Sequence, residues 1–520
     1  MTTTTRERIW TDQQRAIFDW FREGTGNLVI RARAGTGKST SLVEAINYAP
    51  ETDILLCAFN KRIQKDLASK VNDSEANGKA EVKTLHGVGC GIVYRYWKGC
   101  QLDKTRSQGI ALRVMGDQAP DDMVKVAKKL AGIAKGALPS FDPANQALVP
   151  ALCRLAKRFD AEPDSEWQSD GWTTEKIAKY VVDMLDLSRK RNPEGPCVID
   201  FDDMIFVPLA NNWANPRYDL VAVDEAQDMG VAQLSLARRV LIPSGRLVFV
   251  GDNFQAIYGF RGADSDSLDR LKRETGAAEL SITKTFRCGK AIVEYAKTLV
   301  PDFEADEGNN PGEVRKIKLA ELVDEVQVGD FILSRKNAPL AQICLKIIRS
   351  GKPARIEGKD VGAGLRAIAS RWKVKTVTLF LERVAKWSTK EMARLDKEGT
   401  QESADKIVLV KDQAEILVAL CDGLDDKEPY GVIQRLFDLF GDADDNPPPA
   451  VVCSSIHKAK GLEAKRVFVL RSTLYPKRRV VNAETRKSEY FPTVDVQEER
   501  NLDYVASTRA IETLVWVDDV

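Results

Sequence analysis

The stretch Ala32-Arg33-Ala34-Gly35-Thr36-Gly37-Lys38-Ser39-Thr40 decides how this chain is read. The apolar run Leu28-Val29-Ile30 ahead of it predicts a buried strand, and Ser41-Leu42-Val43-Glu44-Ala45-Ile46 behind it predicts the start of a helix. Strand, glycine-rich loop and helix together form the setting of a phosphate-binding P-loop. In such a loop the backbone N–H groups of Ala34, Gly35, Thr36, Gly37 and Thr40 cradle phosphates, because the first N–H groups of a helix have no partner within it. Lys38 is expected at the β- and γ-phosphates and the Ser39 hydroxyl on Mg²⁺. The usual first glycine is Ala32 here, so the loop is a variant of the pattern.

Working outward, Trp10-Thr11-Asp12-Gln13-Gln14-Arg15-Ala16-Ile17-Phe18 predicts a helix capped by Thr11 or Asp12, after a polar, frayed Met1 to Arg8. A glutamine amide donates and accepts at once, which suits an adenine edge; taken alone, Gln14 reads as a solvated surface residue. Downstream, Asp53 to Phe59 predicts a second strand, Asn60 to Leu67 a helix, and Val82 to His86 the end of a third strand. Strands alternating with helices argue for a parallel α/β sheet, whose ligands bind at the carboxyl ends of the strands. Leu220-Val221-Ala222-Val223-Asp224-Glu225-Ala226-Gln227-Asp228 is a buried strand ending in two acids. Asp224 would hold the Mg²⁺ shell, and Glu225 would orient and deprotonate an attacking water, as a P-loop ATPase needs.

Two stretches interrupt the α/β pattern. Residues from about 90 to 205 are helical and broken by prolines, which predicts an insertion. Its early segment Tyr94-Arg95-Tyr96-Trp97-Lys98 reads equally as a strand-binding surface or a half-buried helix end. At its far end, Asp200-Phe201-Asp202-Asp203 invites comparison with a two-metal nuclease. We expect instead a helix start whose dipole favours acids, with no carboxylate–lysine cluster beside it. A second α/β unit begins near Lys284, with strands at Asp330 to Ser334 and Ala450 to Ser454 and a charged helical stretch from about 359 to 446 between them. Asp442 to Pro449 reads as a linker, Glu498 to Ala510 as a helix and Leu514 to Val517 as a closing strand.

The chain's 520 residues carry 77 Lys and Arg against 76 Asp and Glu, so net charge offers nothing in favour of nucleic acid and any basic groove must be local. Nine scattered cysteines without a C-x-x-C pair, and only His86 and His457, argue against a zinc site. No signal peptide opens the chain and no apolar run is long enough to span a bilayer, so we expect a soluble protein of the cytoplasm, or of the nucleus in a eukaryote.

Taken in order, these stretches resemble the motifs of superfamily 1 DNA helicases of the UvrD/Rep type along the whole chain. The resembling stretches are Thr11 to Arg15, Ala32 to Ser39, Ala58 to Lys61, Thr84 to His86, Asp224 to Asp228, Gly251 to Ala263, Thr285 to Arg287, Ile456 to Glu463 and Tyr504 to Ala510. The wording Ala58-Phe59-Asn60-Lys61 and Thr285-Phe286-Arg287-Cys288-Gly289 looks closest to the F-box DNA helicase branch, without an F-box in this sequence.

The resemblance implies an α/β fold of two RecA-like P-loop domains with parallel sheets, each carrying a mainly helical insertion. Domain 1A would span 1–90 and 206–283, insertion 1B 91–205, domain 2A 284–358 and 447–520, and a short insertion 2B 359–446. By the same resemblance Gln14 would read adenine, Phe286 would stack on it, and Gly461 and Glu463 would lie near the ribose. Gln255 would sense the γ-phosphate, and Arg287 and Arg509 would reach it as arginine fingers. Phe59, Asn60, Thr84, His86, Tyr258, Phe260, Arg261 and His457 would contact DNA.

The expected activity is an ATP- and Mg²⁺-dependent helicase moving 3′ to 5′ on single-stranded DNA and acting at single/double-strand junctions. It would be monomeric or weakly self-associating, with no membrane partner. The short 2B puts duplex contact through that insertion in doubt, and with nothing after the final strand no C-terminal partner module is expected. The alternatives are a translocase that strips proteins from single strands, a DNA-binding scaffold without turnover, and more remotely an RNA helicase.

Overall fold

The computed structural model describes residues 9–159, 161–163, 165–192, 195–257, 267–357, 359–372, 374–398, 401–440, 448–475, 477–481, 488–492 and 496–518. They form two compact units. The first holds the described residues of Met1–Ala32, Gly37–Asn253 and Phe260–Ile282; the second holds Arg33–Thr36, those of Phe254–Gly259, and those of Thr283–Val520.

The first unit is built on six strands in the order Ala80–Thr84, Ile54–Ala58, Tyr218–Val223, Leu241–Gly251, Leu28–Ala32, Ala278–Ile282. All neighbours run parallel. Helices cover both faces of such a sheet, so its central strands are apolar throughout. Alternate residues divide between two cores. Val29, Leu55, Val221, Val223 and Phe249 pack against Leu85, Leu209 and Leu236 on one face. Leu28, Ile30, Leu56, Leu220 and Val248 pack against Ile17, Phe21, Leu42 and Ile46 on the other.

Between the helices Leu85–Tyr96 and Asp203–Ala210 the chain leaves the sheet. It builds a helical lobe from Arg106–Met115, Asp121–Ala137, Leu148–Arg158 and Thr174–Ser188 around its own core, which includes Trp97, Leu130, Leu152, Val181 and Phe206. A two-residue parallel ladder, Gln101–Leu102 against Val198–Ile199, joins the two ends of this excursion.

The second unit repeats the plan. Its six parallel strands lie in the order Glu313–Lys318, Ala510–Asp518, Ala464–Leu470, Phe331–Ser334, Val451–Ser455, Ala354–Ile356. The helices Lys359–Ala369, Val377–Glu398, Gln401–Cys421 and Gly431–Phe440 follow the strand Ala354–Ile356 along the chain. They bury Phe380, Val384, Ile416, Leu420 and Leu436 with Ile343, Cys344 and Ile347 of the helix Asn337–Arg349. The mixed α/β class and the two parallel sheets are as the sequence led us to expect.

Four details differ or sharpen. The P-loop helix begins at Lys38 rather than Ser41, because Gly37 takes a left-handed conformation (φ +80°) and serves as its N-cap. Thr11, not Asp12, caps the first helix and accepts a hydrogen bond from the Gln14 N–H. The helix expected to reach Ala510 is Val496–Ser507, and Ala510 opens a strand. Ser507 and Thr508 hydroxyls donate back to the carbonyls of Asp503 (2.9 Å) and Tyr504 (2.7 Å), a competing bond that favours helix ends.

The fourth is a correction. Asp203 does stand in the first turn of a helix, but a carboxylate–lysine cluster accompanies it. Lys135, 3% exposed, lies 2.9 Å from Asp200 and 2.8 Å from Asp203, and Arg106 also pairs with Asp203. Burial raises the Asp203 carboxyl, against the pull of Lys135. The partners come from helices far upstream, so the local spacing could not show them. Among the described residues no group of three or more His, Cys, Asp or Glu side chains could hold a metal ion. Of the linker 442–449, residues 442–447 lie outside the described residues, as does Met1 to Arg8.

Candidate functional site

Three neighbouring strands of the first sheet end at one place: Leu28–Ala32 before the P-loop, Tyr218–Val223 before Asp224, and Leu241–Gly251 before Asp252. The left-handed turn at Gly37 starts the helix there and places Lys38 and Ser39 in its first turn. Lys38 Nζ lies 2.7 Å from Glu225 Oε1, and the Ser39 hydroxyl donates to Asp224 Oδ2 at 3.3 Å. The Glu225 N–H donates to Asp224 Oδ1 at 3.0 Å, and Glu225 itself adopts a left-handed backbone (φ +53°) that non-glycine residues rarely take. Backbone strain of this kind clusters at functional sites.

The electrostatics follow from burial and crowding. Burial pulls the Lys38 ammonium toward neutrality, but the charges of Glu225, Asp224 and Asp252 outweigh it and hold the group above the usual lysine range. Burial and the adjacent Glu225 charge push Asp224 up to about 6, while Lys38 and two hydrogen bonds pull the other way. An anionic pocket around one lysine suits a ligand that brings its own phosphates and a divalent cation. The donor set fits Mg²⁺: a hydroxyl and a carboxylate in contact supply hard oxygen ligands, and Mg²⁺ takes the rest from water and phosphate.

Gln14 is 3% exposed and hydrogen-bonded from both ends of its amide, unlike a solvated surface residue. Its Oε1 accepts from the Thr11 N–H (3.0 Å) and its Nε2 donates to Ser41 Oγ (2.8 Å) on the P-loop helix. Thr40 stands in that helix as well.

The second unit includes Arg33–Thr36 as well as the resembling stretches near 285, 460 and 505. Gly35 (φ +69°) leaves room for Arg287, whose Cβ lies 2.5 Å from where a Gly35 Cβ would stand, and its carbonyl accepts the Phe286 N–H at 3.0 Å. The Phe286 ring is 44% exposed, free to stack on a planar ligand. Arg287 Nε lies 2.5 Å from Glu463 Oε2. Arg509 is 2% exposed, with its guanidinium donating to the carbonyls of Val505 (2.9 Å) and Leu462 (3.3 Å). Gln255, 4% exposed, ends the turn Asn253–Gln255, and its carbonyl accepts from Lys460 Nζ (2.8 Å). Gly461 (φ +84°) follows that lysine. The Ala34 N–H, expected to face phosphate, donates here to Tyr504 Oη at 3.0 Å; Tyr504 carried no role in the sequence reading.

Of the residues expected on DNA, Phe59, Asn60, Thr84 and His86 gather at the carboxyl ends of the adjacent strands Ile54–Ala58 and Ala80–Thr84. Asn60 and Thr84 cap the helices that follow, accepting from the N–H groups of Ile63 (2.9 Å) and Gly87 (3.0 Å). Phe59 packs partly against the sheet core. The half-buried His86 ring stacks on Phe201 with centroids 4.0 Å apart. Phe201, 57% exposed, was read only as part of an acidic run, and its exposure beside a histidine is visible only in the fold. Tyr94 and Tyr96 are 43% and 46% exposed while Trp97 is buried, so that helix end presents rings as well as burying one. His457 lies half-buried in the short helix Ile456–Ala459. Tyr258, Phe260 and Arg261 lie outside the described residues.

Two parallel α/β units, the first with a P-loop lysine set against an acid pair at adjoining strand ends, define a P-loop nucleotide-binding protein. More narrowly, the chain belongs to the UvrD/REP helicase family. The family model for the UvrD/REP helicase N-terminal domain matches residues 10–276, and that for the UvrD-like helicase C-terminal domain matches 371–517. F-box DNA helicase protein 1 of Schizosaccharomyces pombe is 24% identical over 98% of this chain and 57% of its own length. The ATP-dependent DNA helicase PcrA of Staphylococcus aureus is 24% identical over 62% of this chain and 44% of its own. A probable DNA helicase II homolog of Rickettsia felis is 23% identical over 55% and 44%. The chain thus matches about half the length of these relatives. Among the described residues no helix is long and apolar enough to cross a membrane.

Proposed function

We propose that this chain is an ATP-dependent DNA helicase that moves 3′ to 5′ along single-stranded DNA and unwinds duplex at junctions. The observation that carries the reading is the constellation at the strand ends: Lys38 at 2.7 Å from Glu225 and Ser39 at 3.3 Å from Asp224. ATP phosphates entering the P-loop would draw Lys38 from Glu225 and free that carboxylate to orient and deprotonate the attacking water. Ser39 and Asp224 would hold Mg²⁺, which neutralises the charge that develops on the phosphates. Gln14 would read adenine, Phe286 would stack on it, and Gly461 and Glu463 would lie near the ribose.

Arg287 and Arg509 would stabilise the transferring phosphoryl group, which requires Arg287 to leave Glu463 and Arg509 to leave its carbonyl partners. Gln255 would report the phosphate state. Phe59, Asn60, Thr84, His86 and His457 would each contact DNA, and the same role is proposed for Tyr258, Phe260 and Arg261. The exposed Phe201 ring, stacked on His86, would add a further contact. Base stacking contributes about 1–3 kcal/mol per base, enough to grip and weak enough to release in each cycle. We assign 91–205 and 359–446 as the helical insertions of the two RecA-like domains.

Phosphate release with and without single-stranded DNA tests the reading. Turnover that rises with DNA and requires Mg²⁺ supports it. A chain that binds DNA with no turnover on any strand would be a scaffold, and the proposal would fall.

A further inference from the structure

Gln227 follows the acid pair by two residues, in the single turn Ala226–Asp228, and is fully buried. Its side chain bridges two strand ends. The amide Nε2 donates to Glu225 Oε2, and Oε1 accepts the N–H of Asp252 at 3.1 Å, one residue past the strand Leu241–Gly251. Its backbone carbonyl accepts from Ser267 Oγ at 3.2 Å, which anchors the turn from a third side.

The neighbouring glycine makes the arrangement possible. A Cβ on Gly251 would stand 2.3 Å from Gln227 Oε1, so the slot exists only because position 251 has no side chain. The Glu225 carboxylate is thereby held on both oxygens, by Lys38 on Oε1 and by Gln227 on Oε2. These two holds differ in kind. A nucleotide in the P-loop competes for Lys38, whereas nothing about a phosphate chain competes for a buried amide.

We propose that Gln227 is a positioning residue: it keeps the Glu225 carboxylate in its working orientation, through an amide bridge to Asp252 that Gly251 admits. This rests on the assignment of Glu225 as the base for ATP hydrolysis. Once ATP has drawn Lys38 away, the Gln227 bond would keep the carboxylate from swinging out of line. A lost orienting contact of this sort lowers the rate of the chemical step and leaves ground-state binding alone.

The test is steady-state ATP hydrolysis at saturating single-stranded DNA, with kcat and KM separated and melting temperatures recorded, on Q227A, Q227E, G251A and Q227A/G251A beside Glu225→Gln. Q227E keeps the shape of the side chain and sets a carboxyl in place of the amide donor against Glu225, so it serves even if the alanine variant folds poorly. We expect kcat to fall on the order of a hundredfold in Q227A and Q227E while KM for ATP stays within about threefold. G251A should lose activity by displacing Gln227, and in the Q227A background the same change should cost less, as expected of residues in contact. A fall in kcat without a matching fall in melting temperature is what a merely structural fastening does not produce.

If kcat in both Q227A and Q227E stays within about threefold of the parent while Glu225→Gln is inactive, the inference is overturned and the site reading stands. If Glu225→Gln turns over normally, the base assignment is overturned and this inference goes with it.

Discussion

At the scale of single residues, the site is an exercise in charge accounting. Lys38 faces three carboxylates, those of Glu225, Asp224 and Asp252, at the mouth of the P-loop. Replacing it by alanine removes the one cation among these groups and leaves the acids repelling the phosphates. Lys38→Ala should abolish DNA-stimulated ATP hydrolysis, whereas Glu225→Gln should bind ATP with little turnover; a filter-binding measurement beside phosphate release separates the two. A Lys38→Ala protein that hydrolyses near the parent rate would place the site elsewhere.

His86 allows a second test at this scale. Burial lowers its imidazole to about 4. The unfolded chain binds a proton near the ordinary value of about 6.5 and the folded chain does not, so stability must fall as pH drops below that value and level off near the folded one. The loss amounts to roughly 2–3 kcal/mol by pH 4.5. His86→Phe keeps a ring beside Phe201 and removes the titration. Urea unfolding at neutral and acid pH should therefore show a smaller acid-side loss in that variant; an equal loss in both proteins would contradict the burial argument.

At the scale of elements, what the sequence makes legible is set by how local the physics is. The buried parallel strands are apolar runs, and the acids, glycines and lysine of the site stand at their carboxyl ends. The strand Tyr218–Val223 and its following acid pair could therefore be located without coordinates. Gln14 shows the limit: its amide is bound to Ser41 on a helix that begins far along the chain, which no local pattern announces.

The Lys135 cluster shows the limit more sharply. A lysine near the end of an amphipathic helix reads as solvated, yet it closes a buried network with Asp200 and Asp203, 65 and 68 residues on, that also takes in Arg106. Removing one partner of a buried ion pair leaves the other charge uncompensated, so Lys135→Ala should destabilise the helical lobe by about 3–5 kcal/mol. Chemical unfolding of the variant measures this, and a change well under 1 kcal/mol would mean the cluster is solvated in solution. Because the network includes none of the residues assigned to the nucleotide, ATP hydrolysis below the melting range should survive.

At the scale of the whole molecule, the second unit repeats the parallel α/β plan of the first without any sequence repeat to announce it. Order along the chain, rather than local composition, identified it. The helical stretches within the two units were legible as a fading of the strand pattern. Their internal packing was not, since it depends on contacts between helices tens of residues apart. The roles proposed for the second unit make turnover depend on residues far in sequence from the P-loop. Arginine fingers contribute on the order of 10³–10⁵ in rate, so Arg287→Ala should cut DNA-stimulated turnover strongly while leaving DNA binding largely intact. A loss under about tenfold would deny Arg287 that role.

Unwinding itself is the property on which the residue roles converge. It is read most directly by strand displacement on duplexes carrying either a 3′ or a 5′ single-stranded tail, with ATP and Mg²⁺ and with Lys38→Ala as the control. The account predicts displacement from the 3′-tailed substrate, little from the 5′-tailed one and none by Lys38→Ala. Displacement from 5′ tails alone, or none from either while ATP is hydrolysed normally, would contradict it.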